Sequence, residues 1–303
     1  MKVSVVYGGT KEERGPSEMN AKEIAAALDR RGYTTTLIDF GKDIVKTLRD
    51  AQTGAVFLCV QGKGYGDGTL QGILEHEGIP FTGSCMRAAS LINDKILCKL
   101  LFDRYNIPTP RWDILGKSEY ESGTYSYELR YPFVAKAPTQ GGSFGIELIR
   151  NAGDVSHIGN IFEFDDPILL EEFIDGRFYT VGMYESSGRI ITLPIAEGID
   201  LTPKEPGTEE NLIVFSGSCD TIRSELDEDL SEEMEKIALK VFEITGARGV
   251  GRVDFMVDRN NRPFVLEINA VPGMCRTSLI PMEAEFAGIE YDDMVEDILK
   301  AAL

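Results

Sequence analysis

Four polar side chains near the carboxyl end of the chain have the types and spacing that bind a metal ion and phosphate. Arg252 and Asp254 lie two residues apart, as do Glu267 and Asn269, and apolar neighbours predict a β-strand at each pair. Side chains alternate along a strand, so the members of each pair share a face. The turn-forming residues 258–263 predict a hairpin that brings three oxygen donors together beside an arginine. Such hard oxygen ligands suit Mg²⁺, which also holds substrate phosphates; the alternative is a solvated polar hairpin.

A lysine and a glycine-rich turn in the middle of the chain form a second candidate phosphate site. Lys136 ends an apolar strand, and the run 141–145, which includes Ser143, follows it closely. Backbone N–H groups exposed by glycines can hold phosphate oxygens beside a lysine, although the run is also typical of an ordinary hairpin turn. Glu171 and Glu172 end another apolar strand, where they could accept hydrogen bonds from a nucleotide or could simply be its polar end.

Composition excludes several function classes. The 303 residues provide material for two or three packed units. The net charge of −19 argues against nucleic acid or an anionic membrane as a partner. Five scattered cysteines without a CxxC pair favour reduced thiols and a cytoplasmic location. We expect no signal peptide and no membrane span, and two histidines leave little material for imidazole catalysis.

Strand and helix patterns alternate in the first part of the chain. They predict strands at 3–7, 34–38 and 55–60 and helices at 17–31, 69–76 and 88–105. Such βαβ patterning predicts a parallel sheet. Prolines in 106–110 end the last of these helices.

Patterns in the remainder predict a mixed α+β arrangement. We expect strands at 132–136 and 168–173, an antiparallel pair at 179–184 and 189–195, and helices at 230–245 and 291–302. Residues 198–218 have little periodicity and predict a long functional or mobile loop that closes over bound nucleotide. The organisation predicted is an N-terminal α/β domain (1–90), a central subdomain (91–178) and a C-terminal domain (179–303).

The order and spacing of these motifs resemble the ATP-grasp superfamily, and specifically the D-alanine–D-alanine ligase family. The resemblance covers nearly the whole chain and is carried by Gly8-Gly9 and by the runs 68–75, 79–84, 93–95, 108–110, 171–176, 251–254, 267–269 and 272–281. It implies an α/β and α+β chain, in which an ATP-grasp fold follows the N-terminal parallel α/β domain. It also implies a homodimer and small amino-acid-like substrates.

The same resemblance implies the ligands and a role for each candidate residue. The cofactors are ATP and two Mg²⁺ ions, with Mn²⁺ as a possible replacement. The residues implied to bind ATP are Lys95, Lys136, Ser143, Glu171, Glu172, Ile174 and Phe178. The metal ligands are Asp254, Glu267 and Asn269. Arg252 and the Gly273 amide stabilise an oxyanion, and Ser278 with the Leu279 amide binds the carboxylate of the second substrate.

The implied reaction needs no covalent enzyme nucleophile. A substrate carboxylate attacks the γ-phosphate of ATP, and positive charges neutralise the transferring group. An amine then attacks the acyl phosphate through a tetrahedral oxyanion. We therefore expect an ATP-dependent ligase that forms an amide or peptide bond.

Several positions depart from the family pattern near the first substrate. A family glutamate that binds the first ammonium aligns with Gly15, its supporting serine with Gly142, and a ribose-binding glutamate with Phe178. These changes predict altered selectivity for the first substrate, unless a nearby glutamate takes the role: Glu12, Glu13 or Glu18. Three further functions are compatible with the same motifs: an authentic D-alanine–D-alanine ligase, an ATP-dependent intramolecular cyclase and a non-catalytic ATP-binding protein.

Overall fold

The computed structural model describes residues 1–10, 13–126, 128–141, 145–199 and 220–303. These residues form three β-sheets that are flanked by helices.

The first sheet is parallel, as its alternating strands and helices predict. Its strands lie in the order β2-β1-β3. The strands and helices of this part are β1 (Lys2–Tyr7), α1 (Arg14–Arg30), β2 (Thr34–Asp39), α2 (Ile44–Asp50), β3 (Ala55–Leu58), α3 (Thr69–Glu77) and α4 (Met86–Asn93). Val3 and Val5 pack into a core that includes Ile24 and Leu28 of α1, whereas Val6 packs into a second core on the other face. Burial on both faces explains why apolar residues of β1 occupy both alternating sets of positions, as Val5 and Val6 do.

The single helix predicted at 88–105 is wrong, because the chain breaks it at Asp94. Helix α4 ends at Asn93, and α5 (Lys95–Tyr105) begins immediately after Asp94. Asp94 has an extended backbone, and its carboxylate accepts hydrogen bonds from the N–H groups of Ile96 and Leu97. An aspartate that caps a helix in this way starts a new helix, which directs Lys95 into the site described below.

The second sheet is antiparallel and has the strand order β4-β7-β5-β6. Its elements are β4 (Trp112–Leu115), α6 (Lys117–Ser122), β5 (Phe133–Lys136), β6 (Ile146–Ile149), a 3₁₀ turn (Ala152–His157), α7 (Ile158–Ile161) and β7 (Ile168–Glu172). The predicted strands at 132–136 and 168–173 are confirmed.

The third sheet holds the predicted hairpin, with strands in the order β11-β10-β8-β12-β13 and β9 paired to β8. Its elements are β8 (Gly176–Ser186), β9 (Arg189–Thr192), β10 (Ala196–Ile199), β11 (Asp220–Arg223), α8 (Glu228–Thr245), β12 (Val250–Asp258), β13 (Pro263–Asn269), α9 (Leu279–Phe286) and α10 (Tyr291–Lys300). On one face of the sheet Val181 and Phe255 pack with Met234 of α8. The other face carries polar residues that include Thr180 and Asp254, which lie opposite each other on β8 and β12.

Eight helices and strands of the described residues have no counterpart in the sequence predictions: α2, α6, α7, α9, β4, β6, β10 and β11. Residues 198 and 199 lie in β10, and the rest of the predicted loop at 198–218 lies outside the described residues. We propose that the three sheets are the cores of the domains 1–90, 91–178 and 179–303. None of the helices in the described part of the chain is long and apolar enough to cross a membrane.

Candidate active site

Strands β12 and β13 form the hairpin that the sequence predicts, and they bring its four polar residues onto one face. Arg252 lies opposite Asn269, and Asp254 lies opposite Glu267. The guanidinium of Arg252 donates two hydrogen bonds to Asp254, from Nε to Oδ1 and from Nη2 to Oδ2, both 2.7 Å long. We call Arg252, Asp254, Glu267 and Asn269 the hairpin cluster.

Lys95 connects the hairpin cluster to Gln140, the residue just before the glycine-rich run 141–145. Its Nζ lies 3.1 Å from Glu267 Oε2 and donates a 2.8 Å hydrogen bond to the backbone oxygen of Gln140. The Lys95 side chain is only 12% exposed, so its ammonium is held between these two acceptors. A lysine in this place can neutralise phosphate oxygens that lie between the glycine-rich run and the hairpin.

The oxygen donors of the hairpin cluster fit a Mg²⁺ site. Burial raises the pKa of Asp254, and Arg252 only partly opposes this shift. Burial also acts to raise the pKa of Glu267, but Lys95 and Lys136 outweigh it and hold that pKa below its ordinary value. Within the described ranges no three acidic, histidine or cysteine side chains form a metal cluster. The oxygen donors that the hairpin cluster offers are two carboxylates and the Asn269 amide. Oxygen ligands of this kind, completed by phosphates and water, are those Mg²⁺ prefers.

A buried cluster of two lysines and one glutamate lies on the neighbouring sheet. Glu171 is 2% exposed, and its Oε2 accepts a 2.5 Å hydrogen bond from Lys136 Nζ. Its other oxygen, Oε1, forms an ion pair with Lys99, which is fully buried. The two lysines outweigh burial and hold the pKa of Glu171 below its ordinary value. We call Lys99, Lys136 and Glu171 the Lys–Glu–Lys cluster.

The remaining candidate ATP residues occupy different surroundings. Glu172 is exposed at the end of β7, and Ile174 is half-buried between β7 and β8. Phe178 is buried on β8 opposite Met256, on the same face of the sheet as Asp254. Ser143 lies outside the described residues, as does Gly142.

The candidate acceptor residues Gly273 and Ser278 lie in contact with each other. A side-chain carbon at Gly273 would stand 2.8 Å from Ser278 Oγ, so only glycine leaves this hydroxyl in place. Ser278 precedes the first residue of α9, where unpaired backbone N–H groups favour an anion. Asn20 of α1 holds the loop between them, because its Oδ1 accepts hydrogen bonds from the N–H groups of Met274 and Cys275, at 2.8 and 2.6 Å.

Glu13 and Gly15 differ in what surrounds them. A side-chain carbon at Gly15 would meet nothing within 4 Å. The carboxylate of Glu13 instead reaches two glycine-containing loops. A carbon added at Gly62 would collide with Glu13 Oε2, and one added at Gly141 would stand 2.8 Å from Oε1. Thr10 Oγ1 also donates a 3.0 Å hydrogen bond to Oε2. Among the described residues, Glu13 therefore places a carboxylate beside these two loops, whereas Glu12 lies outside the described residues.

Three buried polar residues of the site are absent from the sequence predictions: Asn20, Lys99 and Glu283. Lys99 had a detectable signal, because it interrupts the buried helical stripe of Ile96 and Phe102 at three-residue spacing. Glu283 lies in the same way on the buried face of α9, where its Oε2 accepts a 2.6 Å hydrogen bond from the Gly182 N–H. A charged residue within an apolar helical stripe therefore indicates a buried side chain with a polar partner inside the protein.

Comparison with known proteins identifies the family. The family model described as D-ala D-ala ligase C-terminus matches residues 101–300. The D-alanine–D-alanine ligase of Carboxydothermus hydrogenoformans is 35% identical, with 100% of this chain and 98% of that protein covered. That of Bordetella pertussis is 36% identical, with 99% and 95% covered.

A solved structure agrees with these relatives. The crystal structure of D-alanine–D-alanine ligase from Bacillus anthracis complexed with ATP superposes with a TM-score of 0.85 at 28% identity and covers 100% of this chain and 97% of that one. The ATP-grasp fold and the ATP-dependent ligase that the sequence predicts are thereby confirmed. The chain belongs to the D-alanine–D-alanine ligase family.

Proposed function

We propose that this protein joins the carboxylate of one amino acid to the amine of a second, at the expense of ATP and through an acyl phosphate. The position of Lys95 carries the proposal, since its ammonium contacts both Glu267 and the carbonyl of Gln140, the residue just before the glycine-rich run. That contact supports a site in which phosphate and metal meet. We propose that ATP binds Lys95, Lys136, Ser143, Glu171, Glu172, Ile174 and Phe178.

The side chains of the hairpin cluster would divide the remaining work. Asp254, Glu267 and Asn269 would hold Mg²⁺, which supplies positive charge to the transferring phosphoryl group. Arg252 is held on Asp254 by two hydrogen bonds, so its position is set before substrate arrives. We propose that Arg252 and the Gly273 N–H stabilise the oxyanion at the reacting carbonyl, and that Ser278 orients the second substrate's carboxylate.

We propose that Glu13 binds the ammonium group of the first substrate. Its carboxylate lies between the loops of Gly62 and Gly141, beside the run that follows Lys136. This geometry supports a site in which the glutamate at position 13 holds the ammonium, although position 15 is a glycine. The first substrate is then an amino acid with a free α-ammonium, and D-alanine is the first candidate. Altered selectivity is the competing proposal, and the experiment below separates the two.

The test is ADP release from Mg-ATP with D- and L-amino acids, singly and in pairs, with products identified by mass spectrometry. Our proposal predicts that D-alanine alone gives ADP and the dipeptide. Turnover only with another acid or pair would instead support altered selectivity, and a product formed from one molecule would support a cyclase. A protein that binds ATP but releases no ADP with any member of the panel would contradict catalysis.

The variant Glu13→Gln tests the ammonium site directly. Removing a charged acceptor costs about 1.5–3 kcal/mol, so we expect the KM of the first amino acid to rise about 10- to 100-fold while the KM of ATP stays within about twofold. Glu18→Gln is the matched control, because Glu18 lies on the helix that follows Glu13 and pairs with Lys22 at the surface. Equal KM values for the first amino acid in both variants would refute the role of Glu13.

We also propose, from the family, that the protein is a homodimer. Light scattering at several protein concentrations would measure the mass of the particle. A mass of 33.5 kDa, that of one chain, at every concentration would refute the homodimer.

A further inference from the structure

Lys99 is a fully buried lysine beside the proposed nucleotide site, and none of the roles assigned above uses it. It lies one helical turn after Lys95 on α5, but its side chain is 0% exposed where that of Lys95 is 12% exposed. Burial lowers the pKa of Lys99 to about 8, and Glu171 opposes this shift. Burying an ammonium costs free energy unless it is paired, so the contacts of Lys99 indicate what it does.

The Lys99 ammonium contacts three separate parts of the site. It forms the ion pair with Glu171 Oε1, it donates a hydrogen bond to Thr109 Oγ1, and it lies 3.4 Å from the carbonyl oxygen of Val265. Thr109 Oγ1 in turn donates a 2.7 Å hydrogen bond to the same carbonyl. Val265 precedes Glu267 on β13, so Lys99 connects the sheet that carries Glu171 to the strand that carries a candidate metal ligand.

The charges of the Lys–Glu–Lys cluster explain why two lysines are present. Glu171 gives one oxygen to each lysine, which leaves the cluster with one net positive charge. Without Lys99, both oxygens of Glu171 would be available to Lys136, and the pair would be neutral. Lys136 would then attract a nucleotide phosphate less strongly.

We propose that Lys99 is a positioning residue for ATP binding. Lys99 pairs with one carboxylate oxygen of Glu171, so that only the other oxygen anchors Lys136, and Lys136 keeps positive charge for the nucleotide phosphate. Lys99 itself contacts neither the nucleotide nor the reacting atoms. The proposal rests on the proposed ATP site and goes beyond it, because it assigns a function to a residue outside the ligand-binding set.

The experiment compares Lys99→Met with the unchanged protein. Methionine keeps most of the length of the stem but removes the charge. The first readout is the Kd of Mg-AMP-PNP by titration calorimetry, which needs no amino-acid substrate. We expect the Kd to rise at least about tenfold, and the KM of ATP to rise in parallel. The KM of the amino-acid substrates and kcat should change less than about threefold.

Two further variants serve as controls. Lys236→Met removes an exposed lysine of α8 that pairs with Glu232, and it should leave the Kd unchanged. Thr109→Val removes the hydroxyl beside Lys99 but leaves Glu171 in place, and it should raise the Kd less than about threefold. A Lys99→Met protein with an unchanged Kd, or with a lower kcat and an unchanged KM for ATP, would overturn the proposal.

A double variant tests the proposal even if Lys99→Met does not fold. Lys99→Met with Glu171→Gln has the same net charge as the native cluster, and Lys136 is then its one charged member. If Lys99 acts only through Glu171, the double variant should bind Mg-AMP-PNP as tightly as Glu171→Gln alone. A Kd more than about fivefold weaker in the double variant would contradict this mechanism. Because binding is measured without turnover, the proposal can be tested even if the ligase activity proposed above is wrong.

Discussion

The site contains two clusters in which carboxylates meet basic side chains, and they differ in how open they are. In the Lys–Glu–Lys cluster Glu171 is almost fully buried, and both its oxygens are paired to lysines. In the hairpin cluster the side chain of Glu267 is 33% exposed, and its partner Lys95 also contacts a backbone oxygen. A buried ion pair is costly to break, whereas an open one can exchange its partner for a metal ion. We infer that the first cluster is a fixed support for the second.

The comparison predicts its largest effect at Glu267. Glu267→Gln removes a charge that we assign to Mg²⁺, so we expect kcat for ADP release to fall about 10²–10³-fold. The melting temperature should change little, because this side chain is partly exposed. The control is Glu243→Gln, an exposed residue of α8. Turnover in Glu267→Gln like that of the control would refute the metal assignment and the distinction between the clusters.

A smaller effect on catalysis, with a larger effect on stability, is expected at Glu171. Glu171→Gln leaves Lys99 and Lys136 without a counter-ion, and loss of one partner from a buried pair costs about 3–5 kcal/mol. We expect a lower melting temperature and, because Lys136 loses the carboxylate that anchors it, a KM for ATP raised about tenfold. The Mg²⁺ concentration for half-maximal rate should stay unchanged. Glu121→Gln at the surface of α6 is the control. An altered Mg²⁺ requirement in Glu171→Gln would show that the clusters do not act separately.

The smallest effect is expected at Glu283, a buried carboxylate without an ion pair in the described part of the chain. Burial raises its pKa well above the ordinary value, and its Oε1 makes no hydrogen bond to the residues described. A carboxyl whose folded pKa exceeds its unfolded pKa stabilises the fold while protonated, and that stability is lost as the pH rises through the folded pKa. Glutamine carries no charge, so Glu283→Gln should melt a few degrees above the native protein at pH 8, with a smaller gain at pH 5.

Differential scanning fluorimetry across this pH range would measure the effect. Glu285→Gln, on the exposed side of the same helix, is the control. A gain for Glu283→Gln that is the same at both pH values would show that the buried carboxyl does not titrate with folding.

Local patterns predicted the elements well where one helix or strand determined them. Alternating apolar residues predicted β12 and β13, and the turn between them predicted their pairing. The break at Asp94 was missed because apolar spacing continues across it, and only the cap formed by its carboxylate ends one helix and begins the next. Strands β10 and β11 were missed because their partners, not their own sequences, give them extended structure.

The sequence by itself determined which side chains of the hairpin cluster meet, since two neighbouring strands and a turn place Arg252, Asp254, Glu267 and Asn269 by local geometry alone. Only the tertiary structure decided what surrounds them. Glu13 reaches Gly141, Asn20 holds Met274, and Lys99 joins Glu171 to the Val265 carbonyl. These contacts join residues far apart in the chain. Periodicity reports which face of an element is buried but not which distant element covers it, so packing alone selects the partner of a buried charge.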